Sequence, residues 1–330
     1  MKQHIIGSAF CMLFLVAVFP VSSTTVPATT PTSQTTGNTL HVGGLGPNNY
    51  TTIQDAVNAA FAGDTVFVYD DSSPYQENVA ITTPISLLGE QKTTTVIDGM
   101  NQGYSIDVTA DDVTINGFTI INGNDSGILI NSNNTMITNN IFTEDIYAIR
   151  TTFGQAFGTN FSHNTITHND FENNGAGISF FSGSNNTIAD NHVAHNEQAI
   201  LLMGGRDNNI SGNTVTENGY GIWILSAYRT TIYRNNITYN SNIGIITFIT
   251  SADRILQNNF MGNNKSAISY DSPLSRLRML TRQFHIPLRR NVWRQNYWDE
   301  PRTLPYVIPG VFLKHTLQID WRPALKPYVI

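Results

Sequence analysis

From residue 166 to residue 263 the apolar and polar positions of the chain fall into one frame, apolar-x-x-Asn-x-apolar-x-x-Asn. It begins as Ile166-Thr-His-Asn-Asp-Phe-Glu-Asn-Asn174 and returns at Ile188, Ile210, Ile232 and Ile255. The first Asn of each copy is Asn169, Asn191, Asn213, Asn235 and Asn258, at steps of 22, 22, 22 and 23 residues. A second frame, small-Ile-x-apolar, keeps step at Gly177, Ala199, Gly221, Gly244 and Ala267. Self-similarity at such a period marks a stacked-repeat architecture. Within each copy apolar and polar residues alternate, as in Asn213-Thr-Val-Thr216, which is the two-residue period of strands. No copy holds a stripe at helical spacing. Three short strands joined by Asn and Gly turns therefore make one coil, and coils stacked at about 4.8 Å give three parallel sheets. The expected fold is all-β: a single-stranded right-handed parallel β-helix.

In that fold the first-frame asparagines, with Asn140 ahead of them, are expected to form a structural ladder of Asn140, Asn169, Asn191, Asn213, Asn235 and Asn258. At a tight bend each amide can bond its neighbour in the next coil and the turn backbone, and Asn tolerates left-handed backbone. Upstream, residues 50–63 carry the one helical stripe, Ile53, Ala56, Val57 and Ala60, after a Thr51-Thr52 cap and before Gly63. Such a helix is suited to cover the open end of a solenoid, where strand edges and core would otherwise face water. Between Asn140 and Asn169 the step is 29 residues, and the excess falls in residues 147–164. This is either a looped-out groove wall or a bulge with no ligand.

The ends of the chain differ from its middle. Residues 1–23 have Lys2, an apolar run and a Val21-Ser22-Ser23 cleavage pattern, the form of a secretory signal peptide, with an uncleaved N-terminal anchor as the rival reading. Residues 24–37 are Thr- and Pro-rich, as in a flexible tether. The solenoid is read over 38–271. Residues 272–330 are read as a basic, aromatic tail packing on it, with ten Lys and Arg against three acids, whereas 24–271 hold seven against 21. An exported, acidic body argues against nucleic acid as a partner. The one cysteine, Cys11, lies in the leader, so disulfides, Cys-based zinc sites and a Cys nucleophile have no place in a processed chain.

Several strings together resemble a known family: Tyr50-Thr-Thr-Ile-Gln-Asp-Ala-Val, Gly63-Asp-Thr-Val66, Tyr75-x-Glu-Asn-Val-x-Ile81, Ile97-Asp-Gly99 and Asn296-Tyr-Trp-Asp299. They are similar to the pectin-lyase-like superfamily, and within it to the NosD-type proteins with parallel β-helix repeats and a carbohydrate-binding and sugar-hydrolase (CASH) domain. The resemblance implies the fold and an extracytoplasmic, carbohydrate-related role. It implies no activity, because the superfamily holds lyases, hydrolases, esterases, binding proteins and maturation factors. The catalytic strings of its pectin methylesterases and polygalacturonases are absent from this sequence. The NosD name is tied to copper-enzyme maturation, but soft copper sites want Met, Cys and His, and Met136, Met203 and Met261 occupy scattered frame positions. The acid pairs Asp70-Asp71 and Asp111-Asp112 would point to opposite faces of a strand, which makes poor calcium sites. No cofactor is expected.

Candidate chemistry follows from the stripes that stacking creates. The residue before the second Asn gives Glu144, Asn173, His195, Glu217 and Tyr239, so His195 and Glu217 adjoin and could act as an acid–base pair. Asp170 and Glu172, two apart, face one way and are further candidates, as is the adjoining pair His168 and Asp190. Solvated turn residues explain all of them equally well. The outward positions Phe181, Leu201, Met203, Trp223, Leu225, Ile246 and Phe248 form an apolar ridge that is covered by the tail, stacks sugars, or meets a partner or membrane. Trp223, Phe181, Phe248 and Tyr239 are the ligand-binding candidates. The sequence thus predicts a secreted or cell-surface β-helix that binds polysaccharide or envelope glycan without catalysis. A lyase or glycoside hydrolase, a structural spacer or adhesin, and a NosD-like maturation factor are the alternatives.

Overall fold

The computed structural model describes residues 37–152, 161–270, 290–310 and 318–330. They form a parallel β-solenoid of three sheets with 13, ten and nine strands. One coil shows the path. Thr187–Ala189 lies in the first sheet, His192–Ala194 in the second and Gln198–Met203 in the third, before Asn209–Ser211 opens the next coil. Among the described residues the strands pair in parallel, apart from Tyr306–Ile308, which runs antiparallel to Gln318–Asp320. The register shifts by one whole repeat per coil, so Ile166, Ile188, Ile210, Ile232 and Ile255 form one column and are all enclosed. Alternation at period two sends those side chains inward and their neighbours outward. Aromatic rings stack down the core, Phe142 on Phe171 at 4.9 Å and Phe260 on Trp298 at 4.5 Å.

What turns the chain at each corner is a column of buried amides. Asn169, Asn191, Asn213, Asn235 and Asn258 lie in register. The backbone N–H of Asn191 donates to Asn213 Oδ1 at 3.0 Å, while its Nδ2 donates to Ile166 O at 2.9 Å and to Asn213 Oδ1 at 2.9 Å. The pattern repeats from Asn140 to Asn296 and ends on Asp320, whose Oδ2 accepts from Asn296 N–H and from the Trp298 indole. A second column, Asn174, Asn196, Asn218, Asn240 and Asn263, turns the chain into the third sheet. A third, Asn164, Asn186 and Asn208, returns it to the first. Asn itself was expected to take the left-handed conformation, but the residue before it does so. His168, Asp190, Arg234 and Gln257 have φ of 52–56°, as do His195, Glu217 and Tyr239 at the second corner (53–56°). Left-handed backbone costs a side-chain-bearing residue about 1–2 kcal/mol. The satisfied amide beside it offsets that cost.

Small residues in the second frame have a steric cause. A Cβ on Gly221 would lie 2.2 Å from Gly244 O, where the third sheet bends away from the corner. At the N-terminal end the helix is shorter than expected, Ile53–Ala59, with Thr52 as its cap and Ile53, Ala56 and Val57 buried. Glu77 receives the first two helical N–H groups, and Gln54 bonds both N–H and O of Ala80 on the exposed edge strand of the third sheet. The helix thereby closes a sheet edge, the function expected of it.

The stacking does not stop at residue 271, where the sequence reading placed its end. Val292–Arg294 pairs with Arg254–Leu256, and Tyr297–Trp298 with Asn259–Phe260. Trp293 and Trp298 are core residues of these coils, not a cover lying on the outer face, and Tyr306 stacks on Trp298 at 4.1 Å. Trp321, also within residues 272–330, is exposed.

Removing one amide from a column leaves a backbone N–H and a carbonyl buried without partners, at about 1–3 kcal/mol each. Asn213→Ala is expected to lower stability by roughly 2–6 kcal/mol on that basis. Asn209→Ala, on the outer face of the same coil, should stay within about 0.5 kcal/mol. Urea denaturation followed by circular dichroism compares the two.

Candidate functional site

The outer face of the third sheet concentrates the aromatic side chains. Its outward column Arg150, Ser179, Leu201, Trp223, Ile246 and Ile268 is set by the register of successive strands. Phe181, Met203, Leu225, Phe248 and Tyr270 form the next column outward. Leu201, Ile246 and Ile268 are buried, Trp223, Phe181 and Leu225 half-buried, and Phe248 is 38% exposed. Trp223 stacks on Tyr220 at 5.6 Å and 30°, Phe181 meets Tyr147 edge-on at 6.3 Å, and Phe248 packs near Tyr270 at 6.0 Å. The Trp223 indole nitrogen is enclosed and finds no acceptor. Arg150, paired with Asp125, lies over the rings of Tyr104 and Tyr147. Sequence reading did not single out Tyr104, Tyr147, Arg150 or Tyr220. A signal was available for the tyrosines: Tyr104, Tyr147 and Tyr220 each open a third-sheet strand, in one register column with Ser126, Ala176 and Gln198. Whether the tail covers this face is a question that falls on 271–289 and 311–317, outside the described residues. Residues 153–160 of the insertion also lie outside them.

Tyr239 stands apart from this face. It sits in the second-corner column, 63% exposed, with its ring over Gly262. The same column brings His195 and Glu217 together, Nδ1 to Oε2 at 3.6 Å, but their side chains are 50% and 56% exposed. Asp170 and Glu172 face outward from the second sheet. Asp170 pairs with Lys92 at 2.8 Å, and Glu172 lies 3.8 Å from His192, a residue not singled out in the sequence. His168 is bonded to Thr167, not to Asp190. None of these groups lines the cleft beside the helix, at Thr52 and Glu77, or the one at His41 and Glu90.

The sequence matches the family described as periplasmic copper-binding protein (NosD) over residues 57–303. The chain belongs to the NosD family. No curated protein matches it. Among solved structures, XylC in complex with xylose is 12% identical, with a TM-score of 0.58 over 79% of this chain and 83% of that one. This likeness shows the right-handed β-helix fold. The DFA-IIIase of Arthrobacter chlorophenolicus A6 in complex with DFA-III is 11% identical, with a TM-score of 0.47 over 71% of this chain and 68% of that one. The periplasmic alginate epimerase AlgG is 13% identical, with a TM-score of 0.43 over 79% and 71%.

The copper in the NosD description can be tested against the donors present. Among the described residues no three His, Cys, Asp or Glu side chains gather as a metal set. Met136, Met203 and Met261 lie on three different sheets, so no thioether cluster replaces them. A copper site needs its soft donors within one coordination sphere, and the described residues do not supply one. Three of the four paired acids also bond the fold: Asp71 accepts from Gly44 N–H, Asp70 from Thr94, and Asp111 from Asn133. Among the described residues, no helix is long and apolar enough to cross a membrane.

One buried acid does stand out. Asp145 occupies an amide position in the second corner column, where its Oδ1 accepts Gly123 N–H at 2.7 Å and its own N–H donates to Asn174. Its Oδ2 sits where later coils place an amide nitrogen and has no partner. Burial pushes its pKa up to about 8, against the lowering bond from Gly123. Folding therefore favours the protonated form, so this contribution is complete below pH about 4 and is lost as pH rises through about 8. Asp145→Asn puts a donor in place of Oδ2 without the titration. The variant is expected to melt above the parent at pH 8, with the difference shrinking toward pH 4. Thermal unfolding at several pH values checks this.

Proposed function

We propose that this NosD-family protein is an extracytoplasmic β-helix that binds a glycan on the outer face of its third sheet without cleaving it. The observation that carries the reading is the row of aromatic side chains there, Tyr104, Tyr147, Phe181, Tyr220, Trp223 and Phe248. They are held in register on a rigid support with a single guanidinium among them. Flat rings suit the C–H faces of sugars, and a surface fixed at strand spacing needs little ordering on binding. The periplasmic description of the family supports an extracytoplasmic site, and XylC, similar in fold, was solved with xylose. An excess of 21 acids over seven bases across residues 24–271 favours neutral over polyanionic polymers.

The contact of His195 with Glu217 favours a second reading, acid–base cleavage of a polysaccharide. Both side chains stand on open turns. A general base gains from a site that excludes water, and an open turn excludes little.

Affinity electrophoresis and calorimetry of the purified chain with neutral and acidic polysaccharides separate the two readings. Retention by a neutral polymer is expected, weakened about tenfold or more by Trp223→Ala, which is ~1.4 kcal/mol. No reducing ends or unsaturated uronates should appear. Product that is lost in Glu217→Ala establishes the enzyme reading instead.

A further inference from the structure

At the N-terminal end of the first sheet, Thr39–Val42 pairs with Thr65–Val68, which places His41 beside Phe67 on the outer face. Tyr69 follows them. Its ring lies against His41 at 5.7 Å and 22°, and Phe67 backs it edge-on at 5.1 Å. The His41 and Tyr69 rings line an open cleft of about 430 Å³, rimmed by the loop 44–49 and by the carboxylates of Asp70, Asp71 and Glu90. The rim is pinned from within. Gly44 N–H donates to Asp71 Oδ1 at 2.9 Å, Asp70 N–H to Glu90 Oε2 at 3.1 Å, and Thr94 Oγ1 to Asp70 Oδ2 at 2.6 Å. Each carboxylate thus spends one oxygen on the fold, and Asp71 and Glu90 are exposed.

The chemistry of this cleft is narrow. No Lys or Arg lines it, so its three carboxylates have no basic partner among the lining residues and stand beside the His41 and Tyr69 rings. The carboxylates are strung along the rim and do not converge as a metal set, which suits an extended organic cation better than a bare ion. Rings attract both an ammonium and the apolar face of a pyranose, and carboxylates accept charge-assisted bonds from ammonium and hydroxyl donors. We propose that the cleft binds an amine-bearing sugar, a glucosamine-type unit with a free ammonium. The ring stacks on Tyr69 and the ammonium meets the rim at Glu90 and Asp70. The cleft lies on a different sheet from the aromatic face and stands without it.

Isothermal titration of the full chain with a glucosamine oligosaccharide, its N-acetylated counterpart and spermidine tests the proposal. Binding of the free-amine sugar is expected, with N-acetylation and Glu90→Gln each weakening it by about tenfold or more. Tyr69→Leu should weaken the sugar more than spermidine. Glu90 is exposed, so its variant retains the fold and decides the matter if Tyr69→Leu does not fold by circular dichroism. Equal affinity for the acetylated sugar, no heat with the free-amine sugar, or no effect of Glu90→Gln overturns the proposal. Spermidine binding as tightly as the sugar also overturns it.

Discussion

The bond on which this structure depends is the one between stacked asparagine amides at its corners. A β-solenoid must reverse direction three times per coil, and each reversal leaves backbone groups that neither sheet can satisfy. Here the amide oxygen of one coil takes the N–H of the coil before it, and the amide nitrogen takes that coil's carbonyl. An amide has one donor side and one acceptor side, which is the pairing each corner requires of a single side chain. The columns therefore set the rung length, because a coil of different length would carry its Asn out of line. The step of 29 residues between Asn140 and Asn169 keeps the column intact, since Asn140 N–H still donates to Asn169 Oδ1 at 2.9 Å.

The same bond explains what lines the corners. Because the amide holds the turn, the residue before it is free to be His, Asp, Arg, Gln, Glu or Tyr despite its left-handed backbone. Such residues point into water in vertical files, and any two in adjacent coils come within a few ångströms. The approach of His195 to Glu217 is thus a property of the stacking and carries little information about catalysis. Where an acid replaces the amide, as Asp145 does, the replacement costs a donor, and burial responds by holding the proton on the carboxyl.

Much of the fold was legible because inward and corner positions answer to sterics and hydrogen bonding that recur in every coil. Ile188 is apolar and Asn191 is Asn for reasons that repeat at Ile210 and Asn213. The third amide column was equally visible, as Asn164, Asn186 and Asn208 each stand two residues before a core Ile, yet attention to the nine-residue frame passed over it. The coil at Trp293 and Trp298 was read as tail because 38 residues separate Asn258 from Asn296, although the apolar-x-x-Asn-x-apolar frame is present. The site was less legible. Outward positions such as Trp223, Tyr220 and Tyr147 answer to no repeated constraint, and their exposure depends on what lies across them.

This separation has a consequence for how such a fold acquires function. Stability in a solenoid is a sum of coil and interface terms carried by core and corner residues. Outward residues contribute little to that sum, so the three outer faces can vary almost independently of the scaffold. In this chain they have diverged. The third sheet presents rings, the first presents mostly Thr, Ser and Asn from Thr114 to Thr231, and its N-terminal end presents rings with carboxylates. A donor set for copper would have to be assembled from files on one face. The three described frame methionines, one on each sheet, cannot be brought together without breaking register. The ligands proposed above are accordingly extended ones laid against a rigid face, where neighbouring files of one sheet can act together.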